Sequence, residues 1–102
     1  MAAFFVYDLL EVIDDAKMAE YREKVFANVE RFGGTYRVVG GEQQALEGDW
    51  TLNFPVVIEF ENKQKALNWY ESPEYAVIKK LRLEGARGNG ILIDGDVNPL
   101  KN

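Results

Sequence analysis

The chain contains no cysteine and no histidine. The first absence excludes disulfides, thiolate nucleophiles and thiolate metal sites. The second excludes histidine-based triads and histidine-ligated haem, and it removes the side chain that titrates most readily near neutrality. Acid–base chemistry must therefore use a shifted carboxylate, a tyrosine, a lysine or the substrate itself. Only oxygen ligands are left for a metal, and those suit Mg²⁺ or Ca²⁺. The Asp14-Asp15 pair implies no third ligand and reads as a helix cap. No metal and no cofactor is expected.

Basic residues are in the minority, 12 against 17 acidic, for a net charge of −5. A nucleic-acid binder needs a basic stripe to displace counterions from phosphates. Here the basic residues are interleaved with acids, as in Arg22-Glu23-Lys24, which is the pattern of a solvated helix face. Neither nucleic acid nor an anionic membrane surface is an expected partner. Long apolar runs are also missing. Phe4–Tyr7 and Val56–Ile58 fall far short of the ~20 residues that span a bilayer. No basic n-region opens the chain, so no signal peptide is visible and a cytoplasmic protein is expected.

What is present is a small globular domain. With 102 residues and 47% hydrophobic content, residues 1–102 read as one domain with a thin core. Phe4-Phe5-Val6-Tyr7 with Leu9 and Leu10 predicts a first strand. Asp14 and Asp15 start a helix, and Met18, Tyr21, Val25, Val29 and Phe32 form its apolar face. Gly33-Gly34 stops it. Thr35–Val39 predicts a second strand; Gly40-Gly41 reads as a bend within it, with Gln43–Leu46 continuing extended. Phe54–Phe60 alternates sharply: Phe54, Val56, Ile58 and Phe60 on one face, Pro55, Val57 and Glu59 on the other. Asn62 caps a short helix, and Ser72-Pro73 breaks it and starts another with an apolar stripe of Val77, Ile78 and Leu81. Gly85, Gly88 and Gly90 read as its exit, before a last strand at Ile91–Ile93.

This order is β-α-β-β-α-β with the second helix broken at Pro73. It predicts an α+β, ferredoxin-like fold: an antiparallel four-stranded sheet with helices on one face. The first strand is apolar on both sides, with Phe4 and Val6 opposite Phe5, Tyr7 and Leu9. Helices cover one face only. A second copy of the chain is the economical cover for the other, so a homodimer through the open sheet face is expected.

Several short patterns occur together in fixed order. They are Tyr21, Gly33-Gly34 with Tyr36, Gly40-Gly41, Leu46-Glu47-Gly48-Asp49-Trp50, Val57-Ile58-Glu59-Phe60, Ala66 with Trp69-Tyr70, and Ser72-Pro73-Glu74-Tyr75, followed by Arg82. In these the chain resembles the domain-of-unknown-function family 1330 of the dimeric α/β-barrel superfamily, over about residues 3–95. The resemblance implies a sheet-to-sheet homodimer with a cleft between sheet and helices. It implies no settled activity. Haem-degrading and quinone-forming monooxygenases belong to the same superfamily, and several use a histidine that this chain lacks.

Seven residues are candidates for chemistry. Arg37 is placed opposite to Tyr36 and Val38, on the dimer side, where it reads as a carboxylate binder or as an ion-pair partner of Glu59. Glu59 reads as a base if enclosed, or as a paired strand-face charge. Trp50, Trp69, Tyr70 and Tyr75 suit the wall of a small-molecule pocket and suit a thin core equally well. Arg82 reads as a partly buried polar anchor for backbone carbonyls or for an anion. The expected cleft lies between the sheet and the broken helix, near Trp69, Tyr70 and Arg82. One functional expectation is cofactor-independent oxygenation, isomerisation or decarboxylation of a small acid, held by Arg37 or Arg82, with Glu59 or Tyr70 moving a proton. The alternatives are a non-catalytic ligand-binding or accessory module and a purely structural dimer.

Overall fold

The computed structural model describes residues 1–95; the remainder of the expected 1–102 domain lies outside the described residues. Four strands and three helices follow in the order β1 (Ala3–Val12), α1 (Asp15–Arg31), β2 (Thr35–Val39), β3 (Pro55–Phe60), α2 (Lys63–Tyr70), α3 (Pro73–Gly85) and β4 (Ala86–Asp94). The sheet order is β2-β3-β1-β4, with every pair antiparallel. This is the ferredoxin-like arrangement expected from the sequence. No described helix is long and apolar enough to cross a membrane.

The helix starts follow the capping residues. Asp14 accepts from the Lys17 N–H, Asn62 from the Lys65 N–H, and Ser72 from the Tyr75 N–H. Ser72 also donates to the Trp69 carbonyl, so one hydroxyl ends α2 and begins α3. Proline then occupies the first position of α3.

Pairing register sets the two faces. Phe5 opposes Ile58 and Leu92, while Phe4 opposes Glu59 and Ile93. The Phe5 side packs under the helices. There Ala3, Val25, Val29, Ile58, Phe60, Ala66, Trp69 and Tyr75 form the core. Trp69 sits at its centre, 4.2 Å from the Tyr75 ring and 5.5 Å from the Phe60 ring. On the other side Ile91 and Ile93 stay exposed.

Four expectations need correction. β2 ends at Val39 rather than bending onward: Gly40 and Gly41 both take positive φ, at 70° and 109°, which turns the chain off the sheet. The following segment is closed instead by Gln43, whose amide donates to the Leu52 carbonyl at 2.6 Å and accepts from the Leu52 N–H at 2.8 Å. Second, the register shifts between Tyr36 and Val38, so Val38 lies opposite Val57 on the open face, not beside Tyr36 on the helix face. Third, Gly88 and Gly90 belong to β4. A Cβ on Gly88 would fall on the Tyr7 ring, so the residue's bareness is what lets that ring lean across the strand. Fourth, the buried positions of α3 are Tyr75, Arg82 and Gly85, while Val77 is exposed.

Candidate functional site

The helix-side face of the sheet is not completely filled. A cavity of about 270 Å³ lies between it and α1. β1 contributes Phe5, Tyr7 and Leu9, and α1 contributes Tyr21, Val25 and Phe26. Tyr36, Phe54 and Ile58 close the sheet side. Arg82 of α3 and Arg22 of α1 bring positive charge to it. No acidic side chain lines the cavity among the described residues.

Arg82 is only 7% exposed, and its Nε meets no hydrogen-bond acceptor. Its guanidinium carbon lies 4.5 Å from the centroid of the Tyr7 ring. The other arginines with partners pair at the surface: Arg31 with Glu74, Arg37 with Glu59, Arg87 with Glu11. A buried charge without a counter-ion is costly, so an anion entering this cavity would be strongly attracted.

Around this cation stand hydroxyls. Tyr21 and Tyr75 are hydrogen-bonded at 2.8 Å across 54 residues of sequence. Burial is the largest cause that pushes the Tyr21, Tyr36 and Tyr75 hydroxyls above the ordinary tyrosine range. For Arg82, burial opposes the charge, but Tyr75 and Tyr21 outweigh it and the guanidinium is held more firmly protonated than usual. The site at neutral pH is therefore a buried cation, Arg82, with the exposed Arg22 at its edge and neutral hydroxyls around it in an apolar shell. It stabilises negative charge and offers no base.

The seven sequence candidates separate. Tyr75 and Arg82 come together, with Tyr75 wholly buried. Trp69 is a core residue at 1% exposure, and its indole N–H donates to the buried Asn28 side chain at 2.8 Å. Tyr70 is half-buried beneath Lys79, whose Nζ lies 4.0 Å from the ring centroid. Trp69 and Tyr70 border a second cavity, of about 300 Å³, under α2. Arg82 opens onto the first one, so the single cleft expected under the broken helix is in fact two spaces, and α1 roofs the one with the buried arginine. Arg37 and Glu59 form a 2.9 Å ion pair on the open sheet face. Trp50 is 83% exposed on the segment after Gly41.

Tyr7, Tyr21 and Tyr36 complete the site and were missed as chemistry. Each sits on an apolar stripe and reads from sequence as packing. The available signal was that three tyrosines, not phenylalanines, occupy faces converging on one arginine.

The family described as a domain of unknown function, DUF1330, matches residues 2–96. The chain belongs to that family. Among curated proteins, none matches this DUF1330 chain. Solved structures similar to it include the RPA0582 protein of unknown function from Rhodopseudomonas palustris, at 16% identity and a TM-score of 0.69 over 96% of this chain and 84% of that one. SnoaB, a cofactor-independent oxygenase from Streptomyces nogalater, matches at 11% identity and a TM-score of 0.60, covering 98% of both chains. A dimeric ferredoxin-like protein of unknown function from Bacteroides fragilis matches at 14% identity and a TM-score of 0.59, covering 91% of this chain and 95% of that one. At such identities the likeness is one of fold.

Proposed function

We propose that the cavity beneath α1 binds a small organic acid, its carboxylate on Arg82 and its apolar body against the aromatic walls. The observation that carries this reading is the buried Arg82 guanidinium, its Nε without an acceptor, in a cavity that no acidic side chain lines. Charge-assisted bonds from a guanidinium to a carboxylate are among the stronger polar contacts, and the Tyr21–Tyr75 pair stands beside it as a further donor. Trp69 belongs to the core on this reading, and Trp50 lies outside the cavity.

Binding is favoured over catalysis by the lining itself. Glu59 and Tyr70 lie outside the cavity, and the tyrosines that flank Arg82 are held protonated. An enzyme built here would act on a substrate that supplies its own anion, with the site stabilising the charge. Cofactor-independent oxygenation, the activity of SnoaB, is compatible with such a site. The protein works as a cytoplasmic homodimer on this reading. The open sheet face supports it: Ile91 and Ile93 are 58% and 47% exposed there, and Phe4, Val6 and Val57 extend the same apolar face. A thermal-shift screen of small acids tests the binding claim, because a ligand stabilises by RT ln(1 + [L]/Kd). Acids should raise the melting temperature; a panel of aromatic and aliphatic acids with no effect at millimolar concentration contradicts it.

A further inference from the structure

The two cavities share one wall. Phe5 lines the chamber under α1 that holds Arg82 and also the chamber under α2 that is bordered by Leu67, Trp69 and Tyr70. Its ring is fixed from several sides. It stacks on Tyr7, at 6.4 Å and 10° between planes. It meets Trp69 edge-on at 5.5 Å and Tyr70 at 5.6 Å. On β4 the ring lies over Gly90, where an added Cβ would come within 3.1 Å of it. A Cβ at position 90 would press on the ring and shift it by a few tenths of an ångström; glycine leaves it in place.

We infer that Phe5 determines ligand length, by closing the anion-binding chamber off from a second apolar chamber of similar size. The inference rests on the acid-binding reading of Arg82. The two chambers measure about 270 and 300 Å³. The first has the arginines, with Arg82 the buried one; the second is bordered mainly by apolar and aromatic side chains, with Glu71 as its acidic member. An acid anchored on Arg82 fills the first chamber and stops at the Phe5 ring. Removing the ring joins the spaces and offers burial to a longer tail. The geometry assigns to the natural ligand a compact body, and excludes a long acyl chain.

The test is a calorimetric series of straight-chain carboxylates from butanoate to dodecanoate, on the whole chain. In the wild type, affinity should rise with length by about fourfold per buried methylene and then become flat when the first chamber is full. In Phe5→Ala the flat region should begin at a longer chain, with a gain of tenfold or more for the longest acids. Phe5→Leu, a gentler change that keeps the core apolar, should shift the break in the same direction. Leu67→Trp fills the second chamber. Alone it should leave the wild-type series unchanged, and with Phe5→Ala it should restore the original break. A break at the same length in all variants overturns the partition while leaving acid binding intact. Failure of every acid to bind the wild type overturns both.

Discussion

The guanidinium of Arg82 lies 4.5 Å from the Tyr7 ring centroid, and Tyr7 lies where it does because β4 presents Gly88 beneath its ring. A glycine, a tyrosine and an arginine from two strands and a helix thus set the position of the buried cation in the cavity. Cation–π attraction holds the charge at a face that still leaves Nε without an acceptor.

Replacing Arg82 by methionine should not seriously destabilise the ligand-free protein. The cation–π contact is worth ~0.5–2 kcal/mol, and relief of the unpartnered polar atom returns ~1–3 kcal/mol. The net change should therefore lie between a loss of about 1 kcal/mol and a gain of about 2.5 kcal/mol. Arg82→Ala leaves a void as well and should be the less stable variant. Chemical denaturation of both variants checks the order.

Stability should fall steeply at alkaline pH. Tyr21, Tyr36 and Tyr75 have raised folded pKa values, chiefly through burial. An unfolded tyrosine ionises near pH ~10. Below that pH the contribution is fully present; above it the unfolded chain loses protons that the folded one keeps, and stability declines. Tyrosinate absorbance should show these three groups silent until the fold is lost. Smooth ionisation of every tyrosine in the folded protein would contradict the burial argument.

The Arg37–Glu59 pair should matter to assembly and not to the cavity. Both side chains are substantially exposed in the single chain, so breaking the pair costs the chain only ~0–1 kcal/mol. Arg37→Glu places two acids together on the face proposed to meet its copy, and light scattering should report weaker dimers. Binding of acids by the cavity should persist if the variant is kept folded.

Trp69→Phe should cost ~2–4 kcal/mol, since it removes buried ring volume and strips Asn28 of its donor. Trp50→Phe should cost less than ~0.5 kcal/mol, because Trp50 is in solvent. Urea unfolding monitored by circular dichroism separates the two.

The sequence made the fold legible because its signals agreed at each level. Asp14, Asn62 and Ser72 mark helix starts, and the Phe54–Phe60 alternation marks a half-covered sheet. What failed was local. The shift at Arg37 changes which neighbours share a face, and nothing in Tyr36-Arg37-Val38 signals an unpaired residue. The glycines of β4 read as punctuation because the rings they accommodate, Phe5 and Tyr7, belong to a distant strand. The site was legible in Arg82 and Tyr75 alone. Tyr7 and Tyr21 read as packing, since a hydroxyl at the end of an apolar ring shows its purpose only when other elements converge on it.

The most direct measurement compares each carboxylic acid with its neutral primary amide on wild type and on Arg82→Met. The acid and the amide share shape and apolar body, so their difference isolates the charge. The account predicts that the wild type binds the acid more tightly by ~1.5–3 kcal/mol, the range for a hydrogen bond to a charged group, and that the preference disappears in Arg82→Met while the amide binds as before. Equal binding of acid and amide by the wild type, or an acid preference that survives in Arg82→Met, would contradict it.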